Sequence, residues 1–233
     1  MINKIIYLNK INTPIEVYLS FFRYLIFDKF TKPFRKNYEK KYKNLLKNKS
    51  IRYDWFSKHC FYFYWIIKKI NNNFKYLEIG VFEGNSFLFI TSEFKPIVSY
   101  AVDPWADSDD EIVDNMSIVE KNFDRNLSDI SSTIKKIKKR SDDFFYENKE
   151  NFDVIYIDGS HNYSNVFSDA VNSWQILNKN GILIFDDYFY HYPQNPRGYV
   201  GFAINNFLNT IKKEYKILLV TKNQIFIKKI YQK

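Results

Sequence analysis

The sequence predicts an α/β fold. It calls for a mostly parallel seven-stranded sheet with helices on both faces, a C-terminal antiparallel hairpin and an N-terminal helical arm. Three observations predict it. From Tyr76 onward, short apolar runs alternate with segments of helical spacing, the pattern of a parallel sheet with right-handed crossovers. The last two runs are separated by little more than Lys222-Asn223, a hairpin connection. Residues 1–70 lack strand signals and read as helical and irregular.

In chain order, the Lys36–Lys49 segment is polar and lysine-rich, an exposed helix or linker. Trp55, Phe56, Phe61, Phe63, Tyr64, Trp65, Ile66 and Ile67 crowd together densely enough to demand burial. Asn71-Asn72-Asn73 marks a boundary between an arm or lid over 1–70 and a second domain over 71–233. Strands are predicted at Tyr76–Gly80, Val98–Asp103, Thr133–Ile137, Asp153–Asp158, Gly181–Phe185, Tyr215–Thr221 and Gln224–Lys229. Helices are predicted at Asn85–Glu93, Ile118–Leu127, Ser164–Leu177 and Ala203–Ile211. In the third of these, Val166, Ala170, Trp174 and Leu177 share one face.

Charge is divided unevenly. The formal net charge of +9 splits into +13 over residues 1–75 (17 Lys/Arg against 4 Asp/Glu) and −4 over the remainder (18 against 22). The basic character therefore belongs to the arm, which could meet an anionic or membrane surface, and a nucleic-acid reading of the whole chain is weakened. Cys60 is the only cysteine, which excludes an intrachain disulfide and a cysteine-rich metal site. The best membrane-span candidate, Ile15 to Phe27, is interrupted by Glu16 and Arg23, and no signal peptide is evident, so a cytoplasmic protein is expected.

Two constellations carry chemistry. In the first, Tyr76-Leu-Glu78-Ile-Gly80-Val-Phe-Glu83-Gly84 runs from strand through glycines into a helix. Gly80 lets the chain turn, and Gly84 lets a ligand approach the helix start. Asp103, ending the next strand, can accept from both ribose hydroxyls, and Glu78 offers an acceptor for the ammonium of a nucleoside that carries an amino acid. Phe82 stands where a dinucleotide fingerprint needs its middle glycine, which disfavours a nicotinamide dehydrogenase. In the second, Asp158 follows the fourth strand and Asp186-Asp187 the fifth. Parallel strands deliver their carboxyl ends to one sheet edge, so the three carboxylates converge and repel unless a hard divalent cation such as Mg²⁺, Mn²⁺ or Ca²⁺ joins them. Helix capping is the alternative use of these aspartates.

On these residues, with Val154-Ile-Tyr-Ile-Asp-Gly-Ser-His161 and Gly181-Ile-Leu-Ile-Phe-Asp-Asp-Tyr188, the chain resembles the Rossmann-like class I S-adenosylmethionine (SAM)-dependent methyltransferases. Within them it is similar to the metal-dependent sugar O-methyltransferases such as the macrocin and mycinamicin enzymes, and more distantly to catechol and caffeoyl-CoA methyltransferases. The resemblance covers residues 74–229, with a looser similarity at Tyr53-Asp-Trp-Phe56. It implies that Glu78 and Gly80 hold the methionine part of SAM, with Gly84 in the same loop, and that Asp103 holds the ribose. Asp158, Asp186 and Asp187 would bind Mg²⁺ or another divalent cation, with Asp158 counted among the cofactor residues as well. His161 would be the general base. Ser141 and Asp142 would reach the adenine, although Lys138-Lys139-Arg140 stands where relatives often show glycine and an acid.

The implied reaction is methyl transfer from SAM to a hydroxyl of a small molecule, a sugar or glycan intermediate, by a chain that could form a homo-oligomer. Tyr188, His191, Tyr192 and Arg197 fall where a substrate-facing loop is expected; His59 reads as structural, and Trp55 as packing or part of a lid. An RNA methyltransferase is the first rival. Gly-Ser-His stands in place of the Pro-Pro-aromatic segment of base amino-group methylation, and Cys60 lies outside the sheet edge, so only the basic arm supports it. A non-catalytic SAM-binding scaffold is the second, and it would not need the carboxylate set.

Overall fold

The computed structural model describes residues 2–70, 73–106, 115–190 and 199–231. Helices α1 (Ile2–Lys10), α2 (Ile15–Leu46) and α3 (Cys60–Ile67) precede the sheet. There follow β1 (Lys75–Ile79), α4 (Asn85–Phe94), β2 (Val98–Val102), α5 (Met116–Leu127), β3 (Ile134–Ile137), α6 (Ser141–Glu147), β4 (Phe152–Ile157), α7 (Tyr163–Ile176), β5 (Leu177–Phe185), α8 (Val200–Thr210), β6 (Tyr215–Val220) and β7 (Ile225–Lys229). The seven strands stand in the order β3-β2-β1-β4-β5-β7-β6. Pairings β1–β2, β2–β3 and β4–β5 are parallel, while β5–β7 and β6–β7 are antiparallel, so the expected α/β architecture with its C-terminal hairpin is present.

The chain forms two compact units, Asp28–Arg140 and Met1–Phe27 with Ser141–Lys233, and the division falls inside α2. In the first, β1 and β2 are buried at every position after their first residue, as expected of parallel strands covered on both faces. Among the crowded aromatics, Phe56, Phe61, Phe63, Ile66 and Ile67 are buried with Cys60, whereas Trp55 stays 54% exposed. His59 sits at the N-cap of α3, where its carbonyl accepts from Tyr62 N at 2.9 Å.

In the second unit, β4 and the end of β5 are likewise buried. Residues of α1 and the turn after it belong to this core: Leu8 and Ile11 are fully buried, and Tyr7 Oη donates to the carbonyls of Tyr188 (3.1 Å) and Tyr190 (3.2 Å). Gly201 of α8 makes room for this packing, because a Cβ there would lie 2.4 Å from Tyr188 O and 2.8 Å from Ile11 Cδ1.

Two local features depart from the sequence reading. Strand β5 begins at Leu177 rather than Gly181. Leu177 pairs with Phe152 and Ile182 with Val154, so the chain between them bulges outward, with Asn180 in the left-handed region (φ 66°). Gly181 closes that bulge, since a Cβ would sit 2.8 Å from Asn178 O and 2.9 Å from Asp153 O. Helix α6 was not expected, because seven residues are too few for periodicity to register; Asp142 and Asp143 in its first turn suit the helix dipole.

Candidate active site

In the Asp28–Arg140 unit, the loop after β1 is built on left-handed backbone. Gly80 (φ 81°), Phe82 (φ 50°) and Gly84 (φ 80°) all have positive φ. Gly84 must also lack a side chain because a Cβ would approach Phe123 Cδ2 to 2.9 Å. Phe82 has no such exemption, and its strained backbone is held from both sides. Its N–H donates to Asp103 Oδ2 (2.9 Å), and its carbonyl accepts from Trp105 Nε1 (3.0 Å). Asp103 Oδ1 accepts from Trp105 N at 2.7 Å. Asp103 is 7% exposed, and burial raises its pKa above the ordinary aspartate value even though backbone N–H groups of Phe82, Trp105 and Val81 oppose the shift.

Glu78 is fully buried on β1. Its carboxylate accepts from Tyr76 Oη at 2.5 Å and from Ser86 Oγ. The sequence reading missed Glu83, which is 1% exposed. Arg52 binds it through Nε and through its backbone N–H (2.7 Å), and Asn122 Nδ2 donates to it at 2.8 Å. Asn126 Nδ2 donates to Glu83 O (2.9 Å), while its Oδ1 accepts from Ser50 N (2.5 Å). These bonds clamp the strap at 50–52 to the glycine loop and to α5. Beside it, Tyr53 and Trp55 stack at 4.9 Å, and Trp55 lies 5.5 Å from Phe82.

In the other unit, β4 and β5 bring Asp158, Asp186 and Asp187 together, with one oxygen from each lying within 4.8 Å of the others. All three are partly buried. Tyr156, two residues before Asp158 and hence on the same face of β4, donates to Asp158 Oδ2 (3.0 Å) and to Asp186 Oδ2. Gln224 Nε2 donates to Asp186 Oδ1 (2.9 Å) and Oδ2 (3.1 Å). The hairpin register explains this contact: Phe185 stands opposite Ile225, which sets the next residue of β5 beside Gln224. Asp187 has left-handed backbone (φ 53°), and its Oδ2 lies 2.8 Å from His161 Nε2. The His161 ring stacks on Tyr190 at 4.2 Å. A small open cleft is lined by Asp158, His161, Asp186 and Asp187 together with Val166, Val200 and Ile204.

Tyr188 does not face a substrate. It is fully buried and donates to Asn205 Oδ1 at 2.8 Å, because Tyr188 N bonds to Asn223 O and turns the ring inward. Ser141 and Asp142 open α6. His191, Tyr192 and Arg197 lie outside the described residues, as do Asn71 and Asn72. Tyr156 could have been found from the two-residue strand period, but Gln224, far along the chain, left no local signal.

Residues 77–188 match a family model described as a methyltransferase domain. The matched span runs from the middle of β1, through the glycine loop and Asp103, past Asp186-Asp187 to Tyr188. The chain is 27% identical over 155 residues to the "uncharacterized protein R132" of Acanthamoeba polyphaga mimivirus; the span is 61% of this chain and 66% of that relative, slightly under two thirds of its length. Among solved structures, the O-methyltransferase TomG of Streptomyces achromogenes, involved in tomaymycin synthesis and determined with SAM, superposes with a TM-score of 0.58 at 10% identity (75% of this chain, 81% of that one). The O-methyltransferase NovP superposes with a TM-score of 0.52 at 13% identity (71% and 75%). At these identities the likeness is one of fold. No described helix is long and apolar enough to cross a membrane.

Proposed function

We propose that this chain transfers the methyl group of SAM to a hydroxyl oxygen of a small molecule, a sugar or glycan intermediate, with a divalent cation at Asp158, Asp186 and Asp187. The observation that carries this reading is the carboxylate trio with ligand oxygens within 4.8 Å of one another and His161 bonded to one member. An all-oxygen donor set fits Mg²⁺, Mn²⁺ or Ca²⁺ better than zinc. Such an ion supplies Lewis-acid chemistry, lowering a hydroxyl pKa that otherwise stands near that of water, about 15.7.

The chain's own residues divide the remaining work. Glu78, Gly80 and Gly84 would receive the methionine part of SAM, Asp103 the ribose, and Ser141 and Asp142 the adenine. Asp158 is counted with both cofactor and metal. His161 would take the acceptor proton as the O–CH₃ bond forms and the S–CH₃ bond breaks, its electron pair remaining on sulfur to leave S-adenosylhomocysteine. Asp187, at 2.8 Å, would stabilise the imidazolium. The O-methyltransferases TomG and NovP share this fold, which supports oxygen as the methylated atom.

A SAM-turnover screen of sugar nucleotides and phenolic diols, with and without Mg²⁺, tests the reading. Mg²⁺-dependent methylation of an acceptor with neighbouring hydroxyls is the expected result. SAM binding without turnover on any acceptor points to a scaffold. Methylated RNA as the sole product, with binding that weakens steeply as salt rises, assigns the chain to RNA instead.

A further inference from the structure

Tyr188, Phe189 and Tyr190 follow Asp187, and the first residues of the chain grip all three. Tyr7 Oη of α1 reaches the carbonyls of Tyr188 (3.1 Å) and Tyr190 (3.2 Å), so one hydroxyl proton is shared between the residues on either side of Phe189. The Tyr7 ring packs on Phe189 at 5.5 Å and on Tyr199, just before α8, at 5.5 Å. Its hydroxyl has space because residue 201 is glycine; a Cβ there would lie 2.9 Å from Tyr7 Oη. Lys4 Nζ stands 4.1 Å from the centroid of the Phe189 ring and donates to Lys222 O in the β6–β7 turn. Asn205 Nδ2 donates to Ile11 O (2.9 Å) and Thr13 Oγ1 (3.2 Å), while Asn205 Oδ1 accepts from Tyr188 Oη. All of these residues belong to the same compact unit as Asp158, His161, Asp186 and Asp187.

What these contacts hold in place is Tyr190. Its N–H donates to Asp187 O at 2.7 Å, and its ring lies on the His161 imidazole at 4.2 Å and 23°. The bond from His161 Nε2 to Asp187 Oδ2 fixes one edge of the imidazole, and the stack on Tyr190 fixes its plane. We propose that Tyr7 is a positioning residue for His161, acting through the backbone and ring of Tyr190. Helix α1 is then a working part of the acceptor end of the site, not part of an arm or lid over 1–70. The proposal rests on the reading of His161 as the general base. A base must meet the acceptor proton within hydrogen-bond reach, and a displacement of about 1 Å can cost about 10²-fold in rate. Lys4 assists from the side by holding Phe189, the residue between the two carbonyls that Tyr7 binds.

Tyr7→Phe in the full chain removes the hydroxyl and keeps the ring, and NMR reads the stack without acceptor, SAM or metal. The wild type should show NOE cross-peaks between the His161 imidazole and the Tyr190 ring, assigned by their loss in Tyr190→Leu. Tyr7→Phe should lose most of this intensity, while cross-peaks between Tyr53 and Trp55, in the other unit, persist. With an acceptor that the wild type methylates, kcat should fall by roughly 10–100-fold at unchanged KM for SAM. Lys4→Met, at a partly buried position, should weaken the same cross-peaks, and it decides the matter if Tyr7→Phe does not fold. Full cross-peak intensity in the folded variants, with only the urea midpoint lowered, would make Tyr7 merely structural and overturn the proposal, as would wild-type kcat in Tyr7→Phe. Near-normal kcat in His161→Ala would remove the general-base reading, and with it Tyr7's part in the reaction, even where the cross-peaks behave as expected.

Discussion

His161 Nε2 lies 2.8 Å from Asp187 Oδ2, so the histidine after β4 and the second aspartate after β5 form one unit. Stacking on Tyr190 at 4.2 Å fixes the ring plane as well. His161→Ala should lower kcat by roughly 10²–10⁴-fold, the range for loss of a general base, with SAM affinity unchanged by calorimetry. A variant with near-normal kcat would move proton removal to another group.

Gln224 is a positioning residue for Asp186, holding both carboxylate oxygens. Gln224→Ala should weaken Mn²⁺ binding about 10–100-fold, the usual penalty for removing a partner behind a metal ligand. Asp186→Asn should abolish it, and EDTA should silence the wild type. Full turnover in EDTA would rule out the metal.

In the proposed ribose-binding role, Asp103 would connect cofactor binding with pH. Asp103→Ala should weaken SAM binding by about 1.5–3 kcal/mol, as for a hydrogen bond to a charged group. Because burial raises its pKa above 3.8, it should protonate at a higher pH than an exposed aspartate, and SAM affinity should decline there. The stability sign is opposite to that of a salt-bridged acid. Between the unfolded value and the raised folded value, the native state keeps a proton that the unfolded chain has released, so stability falls as pH rises through that window. Urea titrations of wild type and Asp103→Asn across acid pH should differ by this slope.

Arg52→Met should cost about 1–3 kcal/mol of stability, read as a lower urea midpoint, because Glu83 loses a charged partner where it is 1% exposed. The lower end applies if solvent reaches Glu83 through the partly exposed Arg52 side chain. Glu83→Gln with Arg52→Met should recover part of the loss, since no buried charge then stands unpaired.

Cys60 is 1% exposed, and burial pushes its thiol up to about 12. Native protein should leave Ellman's reagent unreacted at pH 8, and one thiol should titrate in urea. Rapid reaction of the native chain would mean that α3 opens readily.

Much of the fold is legible in the chain because its signals are local. β1, β2, β4 and the end of β5 are nearly continuous apolar runs, since parallel strands are buried on both faces. Gly80 and Gly84 announce a turn that only left-handed backbone can make. Asp158, Asp186 and Asp187 could be brought together on paper because parallel strands share a carboxyl edge, and their oxygens do lie within 4.8 Å. The tertiary structure alone decided the rest, because those contacts join residues far apart in sequence. Gln224 reaches Asp186 through a hairpin register that pairs Phe185 with Ile225. Arg52 reaches Glu83 across a strap with no periodicity of its own. Tyr188, adjacent in sequence to Asp187, points into the core because Asn205 on α8 offers its hydroxyl a partner. Sequence spacing determines which residues share a strand or a helix face; which of those faces is covered depends on what packs against it, as buried Phe21 and exposed Phe22 of α2 show.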